Sequence, residues 1–138
     1  MNTIVELHDS TVTEIAKREG TAIVHFLPAC LHRSEGRPGF DSGTYWVQNA
    51  RLIFADAAVN GGIPDLPCDV MGGELVIGGE QYDNEIPVPL EVTEPAELRL
   101  ILDSVHTVTI TGRGVRLELY GEPKYVQDFP PKSVQSNP

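Results

Sequence analysis

The stretch from Glu97 to Tyr120 constrains the fold more than any other, because apolar and polar residues alternate along it in three consecutive runs. Side chains on a β-strand point to opposite faces with a period of two, so each run offers one apolar and one polar face. The runs break at Asp103-Ser104 and at Gly112-Arg113-Gly114, which are typical hairpin connections. The pattern predicts a three-stranded antiparallel meander with an apolar face formed by Leu98, Leu100, Leu102, His106, Val108, Ile110, Val115, Leu117 and Leu119.

Other short runs in the chain also predict strands. Ala22–Leu27 is apolar on both faces except for His25, as in a strand covered on both sides. Residues 11–19 fit either a strand or a short helix: Thr11-x-x-Glu14 matches a capping box, whereas the β-branched residues and the turn-like Arg18-Glu19-Gly20-Thr21 favour the strand, which we prefer. Ile86–Leu90 alternates prolines with aliphatic residues, which predicts an edge strand or an extended polyproline-like segment.

Together these runs predict a mostly β protein with little helix. Seven to nine short strands joined by Gly-rich turns describe an antiparallel β-sandwich or a partly open β-barrel, and the pattern does not separate the two. Residues 1–129 are expected to form a single β domain. Residues 130–138 are polar and proline-rich and are expected to form a flexible C-terminal tail.

Composition and charge narrow the classes of partner. The formal net charge of -10 repels phosphate backbones and anionic lipids, so we expect neither nucleic-acid nor membrane binding. No apolar run approaches a bilayer span and no secretory signal is visible, which predicts a cytoplasmic protein. Cys30 and Cys68 lack metal-ligand spacing and are expected to be reduced, buried thiols. We expect neither a metal nor a cofactor.

Long connections are the expected location of a functional site. Residues 32–44 contain three glycines, a proline and alternating charge, which predicts one long loop, and residues 60–73 predict a second. Residues 80–85 predict an acidic turn, in which Glu80, Asp83 and Glu85 are expected to be solvated rather than to bind calcium, because EF-hand spacing is absent.

Four arginines and one tryptophan form the predicted ligand site. If the 32–44 loop folds towards the Gly112–Gly114 turn, Arg33 and Arg37 meet Arg113 and Arg116 in a local basic patch flanked by Trp46. Arginine presents a planar fork that suits carboxylate or phosphate. The competing interpretation pairs each arginine with a neighbouring acid, such as Arg33 with Glu35 or Arg116 with Glu118.

Catalytic signals are sparse. No serine or cysteine lies in a nucleophile-elbow pattern, and the consecutive residues His8-Asp9-Ser10 cannot converge as a triad. An enzyme would use His8 or His32 as the base and a carboxylate from Asp9, Glu35 or Asp41 as its partner. No residue is assigned as catalytic on this pattern alone.

Three segments resemble an uncharacterised bacterial family of short single-domain β-rich proteins: Leu7-His8-Asp9-Ser10, the stretch from His32 to Gly39, and the stretch from Gly112 to Leu119 with Gly121-Glu122-Pro123. The resemblance implies a bacterial cytosolic setting and a β-rich domain, and it carries no catalytic residue. The leading hypothesis is a non-enzymatic β-domain that binds a protein partner or a small anionic ligand through its long loops, with self-association through an edge strand as a further possibility. The alternative is a small hydrolase or isomerase with a His/carboxylate pair.

Overall fold

The computed structural model describes residues 1–130, which form thirteen β-strands and no helix. The strands make two antiparallel sheets that do not close into a barrel, so the predicted mostly β fold is confirmed and is a sandwich. The strand count exceeds the predicted seven to nine because five strands have only two to four residues. The strands are β1 (Asn2–Glu6), β2 (Thr11–Arg18), β3 (Thr21–Ser34), β4 (Gly43–Ala55), β5 (Ala58–Gly61), β6 (Cys68–Asp69), β7 (Gly72–Ile77), β8 (Glu80–Asp83), β9 (Glu85–Val88), β10 (Glu91–Val92), β11 (Ala96–Ile101), β12 (Thr107–Gly112) and β13 (Gly114–Phe129).

The larger sheet is built on its three longest strands, which pair in the order β13-β4-β3. β2 and β1 lie end to end along the free side of β3, β2 on its first half and β1 on its second. β9 forms the edge beside β1, β6 flanks β2, and β10 flanks the start of β13. One end of this sheet therefore holds the start of β3 and of β13, and the other end holds their last residues.

The smaller sheet has the order β5-β12-β11-β7-β8 and packs against the larger one. Burial of apolar side chains between the two layers is the dominant favourable contribution to folding. Fully buried residues from both sheets form this core, among them Val24, Phe26, Leu52, Phe54, Leu75, Leu98, Leu100, Val108 and Ile110.

The predicted three-stranded meander is wrong in its last strand. β11 and β12 pair as predicted, with Leu98 opposite Ile110. β13, however, pairs with β4 and β10 in the larger sheet. The prediction that His106 lies on the apolar face is also wrong. This residue precedes β12, and its ring contacts Asp103. Alternation identifies the faces of a strand but not the partner of the strand.

Residues 11–18 are a strand, as preferred, and the hairpin that follows turns through Glu19 and Gly20, whose φ angles are 52° and 83°. Positive φ at both central residues is the geometry of a tight hairpin turn. The segment Glu85–Val88 is an edge strand, as predicted for Ile86–Leu90, because it pairs only with β1.

Three predicted connections are shorter than expected. The loop predicted over residues 32–44 covers only 35–42, because pairing of β3 with β4 extends to Ser34 opposite Gly43. The predicted acidic turn at 80–85 instead forms β8 and the start of β9, with Gly78 and Gly79 turning the preceding hairpin. The predicted loop at 60–73 is interrupted by β6. Apart from Pro130, the predicted tail lies outside the described residues.

Candidate functional site

The structure separates the predicted arginine patch into two groups at opposite ends of the larger sheet. Arg33 lies opposite Thr44 of β4, whereas Arg116 lies opposite Ile53 of the same strand. Nine residues of a strand span about 30 Å. The 35–42 loop, which carries Arg37, therefore does not fold towards the Gly112–Gly114 turn, and the expectation of one basic patch is wrong.

The first group consists of Arg33, Arg37 and Trp46. The Arg33 guanidinium lies 4.5 Å from the centroid of the Trp46 ring, so this predicted pair does meet. The Arg37 guanidinium lies 4.8 Å from the centroid of the Phe40 ring within its own loop. Both contacts are cation–π interactions, which arginine makes with aromatic faces. Neither arginine forms an ion pair with a carboxylate in the described part of the chain.

The second group, Arg113 and Arg116, lines a cleft of about 300 Å³, here called the crossover cleft. Its apolar wall includes Ile53, Val92 and Val115. Its polar lining residues are Thr21, Thr93, Glu91 and the two arginines.

Arg113 is the available cation of the crossover cleft. Its backbone N–H donates to the carbonyl of Ala55 at 2.9 Å, which fixes the backbone. Its side chain is 84% exposed, and its nearest carboxylate is Asp56, with 3.9 Å between Nε and Oδ2. An ion pair that long and that exposed contributes little, so the guanidinium donors of Arg113 remain available.

Arg116 belongs to a network of charges on the outer face of the larger sheet. Glu14, His25, Arg51 and Glu118 lie directly opposite one another across β2, β3, β4 and β13. Arg51 donates to Glu118 at 2.7 Å, and this contact, followed by the charge of Arg116, lowers the pKa of the Glu118 carboxyl. The predicted Arg116–Glu118 ion pair is present. These four opposed residues were not predicted from the sequence, because the alternation along a strand does not indicate which strands are its neighbours.

His32, one of the two histidines predicted as a base, contacts a carboxylate that was not predicted as its partner. His32 Nε2 lies 2.7 Å from Glu6 Oε1, on the neighbouring strand β1. Asp41 instead accepts the backbone N–H of Arg37 at 2.7 Å. His8 contacts its predicted neighbour Asp9 at 3.3 Å on the surface.

The His32–Glu6 pair has no free nitrogen with which to act as a base. The side chain of His32 is 8% exposed, and its second ring nitrogen, Nδ1, has neither accessible surface nor a hydrogen-bond partner. A base must lie within hydrogen-bonding reach of the proton that it removes. The pair therefore offers no accessible nitrogen to a substrate and instead links the side chains of β3 and β1.

His106 and Asp103 form a second His/carboxylate pair, beside Cys68. The His106 Nδ1 lies 2.9 Å from both oxygens of Asp103, which also accepts the backbone N–H of Val105 at 2.9 Å. The Cys68 thiol donates to the carbonyl of Leu102 at 3.2 Å, and desolvation followed by the charge of Asp103 raises its pKa. A thiol held protonated is a poor nucleophile, so this cluster does not form an activated cysteine site.

Both cysteines are free thiols, as predicted, with Cys30 buried and Cys68 half-buried. Ser10 supports Cys30 through a structural contact, since its hydroxyl accepts the Cys30 backbone N–H at 2.9 Å and donates to the carbonyl of Glu6 at 2.6 Å. Within residues 1–130, no group of three or more His, Cys, Asp or Glu side chains is arranged to hold a metal ion.

No protein-family model, curated protein or solved structure matches this chain. The described residues also contain no helix of the length and apolarity that crossing a membrane requires. Function is therefore inferred from the geometry of the chain alone.

Proposed function

We propose that this protein is a ligand-binding β-sandwich whose crossover cleft takes a small monocarboxylate with an apolar portion. The observation that carries the proposal is the exposed, weakly paired Arg113 guanidinium at a cleft with a largely apolar wall. Pockets for small molecules combine apolar walls with a few polar groups that fix the orientation of the ligand.

Both parts of such a ligand have a counterpart in the cleft. The carboxylate is matched by the planar guanidinium of Arg113, which forms two parallel hydrogen bonds with that group. Ile53 and Val92 offer apolar surface to a hydrocarbon chain, and each methylene buried there contributes about 0.8 kcal/mol.

The charges around the cleft favour a monoanion over a phosphate. Glu91 is part of the lining, Asp56 lies near Arg113, and Arg116 is already paired with Glu118. A dianion would meet repulsion from two carboxylates while gaining one free guanidinium. A carboxylate therefore suits the cleft better than a phosphate, although the arginines by themselves would suit either group.

Binding without turnover is the mode that this lining supports. Its reactive side chains are two threonines and one glutamate, and neither the His32–Glu6 pair nor the His106–Asp103 pair belongs to it. The hydrolase or isomerase alternative would need a base and a substrate in one pocket.

A protein partner is the other occupant predicted for this domain. The edge strand β9 is available to a second chain, but Pro87 has no N–H to donate. The small ligand is therefore the occupant that the geometry supports better.

The proposal is tested with hexanoate as the probe, by calorimetric titration of the full chain. We expect saturable binding to the native protein and at least a tenfold loss of affinity in Arg113→Ala, because a charge-assisted hydrogen bond contributes about 1.5–3 kcal/mol. Arg99→Ala is the matched control, since it removes an exposed arginine from the smaller sheet. Equal affinities for Arg113→Ala and Arg99→Ala, or equal binding of hexanol, would overturn the proposal.

A further inference from the structure

The proposed function leaves one charged residue of the crossover cleft, Glu91, without a counterpart in the ligand. Glu91 is exposed and lies directly opposite Arg116 in the pairing of β10 with β13. Opposite charges at directly opposed positions attract each other across a sheet. Arg116 nevertheless forms its ion pair with Glu118. Within residues 1–130, the side chain of Glu91 forms neither an ion pair nor a hydrogen bond.

The register of three strands places the Glu91 side chain on the same face of the sheet as two other residues of the cleft. Glu91 lies opposite Arg116, and Arg116 lies opposite Ile53 of β4. Directly opposed residues of an antiparallel pair point to the same face. All three residues line the cleft. The carboxylate of Glu91 and the apolar side chain of Ile53 are therefore presented on one side of the larger sheet.

Arg113, the available cation of the cleft, is close enough to Glu91 for one small ligand to contact both. It precedes Arg116, the residue opposite Glu91, by three positions. Three extended residues span about 10 Å, and opposed residues lie about 5 Å apart. Arg113 and Glu91 do not form an ion pair with each other in the described part of the chain. Both long side chains therefore remain available to a ligand that lies between them.

A ligand with only a carboxylate does not match both charged residues. Its negative charge is attracted by Arg113 and repelled by Glu91. The net charge of -10 also repels a free anion at longer range. An ammonium group on the same ligand turns the repulsion from Glu91 into attraction and brings the net charge of the ligand to zero.

We propose that the crossover cleft binds a free α-amino acid with an aliphatic side chain, an inference that rests on the proposed function and narrows its ligand class. Arg113 donates two parallel hydrogen bonds to the carboxylate, and Glu91 accepts hydrogen bonds from the ammonium group. One carbon carries both charged groups, so the whole side chain packs against Ile53 and Val92.

Two related classes of ligand match the cleft less well. An ω-amino acid has its hydrocarbon chain between its charged groups, which leaves no free apolar end for the wall of the cleft. A polypeptide terminus carries only one of the two charges, because the other group is part of a peptide bond. The free α-amino acid presents both charges and a free side chain.

The test uses leucine as the probe, in a calorimetric titration of the full chain at pH 7, where both of its charged groups are ionised. 4-Methylpentanoate has the same hydrocarbon chain and carboxylate but no ammonium group. Leucine amide keeps the ammonium group and lacks the carboxylate. We expect leucine to bind at least tenfold more tightly than either compound.

Glu91→Gln keeps the size of the side chain and removes its charge, and we expect it to weaken the binding of leucine at least tenfold. 4-Methylpentanoate is expected to bind this variant at least as tightly as the native protein, which also shows that the variant is folded. Glu94→Gln is the matched control, because Glu94 lies beside Gly78 and outside the lining of the cleft. It is expected to bind leucine like the native protein.

Equal affinity of the native protein and Glu91→Gln for leucine would overturn this inference. So would 4-methylpentanoate binding that depends on Arg113 and is as tight as that of leucine, a result that leaves the proposed function intact. Failure of the proposed function is distinguishable, because neither hexanoate nor 4-methylpentanoate would then bind. N-acetyl-leucine represents the carboxyl terminus of a polypeptide, and binding as tight as that of leucine would overturn the free amino acid as the ligand.

Discussion

Gly112 and Gly114 are two residues apart in the chain and belong to different sheets. Gly112 lies opposite Ala96 in the smaller sheet, and Gly114 lies opposite Ala55 in the larger one. The chain crosses between the layers at Arg113, and this crossing exposes the guanidinium beside the crossover cleft. The proposed carboxylate site therefore depends on a close approach of backbones that larger residues would prevent.

We predict that Gly114→Ala destabilises the protein by about 1–3 kcal/mol, the typical cost of overpacking. A Cβ at this position would lie 2.6 Å from the carbonyl oxygen of Val92 and 3.2 Å from Cα of Thr93, both backbone atoms. Gly72→Ala is the control, since a Cβ there meets nothing within 4 Å. Urea denaturation of both variants measures the difference, and equal stabilities would contradict the described crossing.

We predict that Glu85→Gln stabilises the protein by about 0.2–1 kcal/mol at low salt, because it removes a like charge opposite Glu6. Glu97→Gln is the control, since Glu97 lies opposite the uncharged Val76 and Thr111. Urea denaturation is compared at low salt and at about 1 M salt, where screening should abolish the gain. A loss of stability in Glu85→Gln would show that the repulsion is already compensated.

Asp103 makes a pH-dependent contribution to stability at the turn between β11 and β12. The hydrogen bond from the backbone N–H of Val105, followed by that from His106, lowers the pKa of the Asp103 carboxyl. The folded state thus favours the ionised form, so the contribution is present above the ordinary aspartate pKa of about 4 and is lost as the pH falls through the lowered value.

The stability difference between the native protein and Asp103→Asn is therefore expected to shrink as the pH falls from 7 to about 2. Urea denaturation at several pH values measures it. A difference that stays constant over this range would indicate that the folded state does not favour the ionised carboxylate.

The two thiols are predicted to react slowly in the folded protein. Burial raises the pKa of the Cys30 thiol, and desolvation together with Asp103 raises that of Cys68, so little thiolate exists near neutral pH. Labelling with a disulfide reagent at pH 7 is expected to modify half-buried Cys68 before buried Cys30. In Cys68→Ser, labelling of Cys30 is expected to require unfolding, and fast labelling under native conditions would contradict its burial.

Local patterns predicted many of the strands and some of the turns. The alternation around Leu98 and Ile110 identifies two core-facing strands that pair as expected. Arg18-Glu19-Gly20-Thr21 predicts its own hairpin, and Pro87 marks an edge strand. These features follow from periodicity and backbone preference, which act over a few residues.

The groups of side chains around Arg113 and around His32, in contrast, depend on residues that are distant in sequence. The sequence predicted Arg113 as a ligand-binding residue, but the walls of its cleft come from β3, β4 and the segment around β10. Glu6, His32 and Glu85 meet only because β1 pairs with β3 on one side and with β9 on the other.

The sequence by itself determined that this chain forms amphipathic strands and where several of them turn, since those properties are local. The tertiary structure alone decided that β13 leaves the smaller sheet, that the four arginines separate, and that two glutamates share a pocket with a buried histidine. A strand exposes the same backbone donors and acceptors to every potential neighbour, so its partner is selected by packing of the whole core.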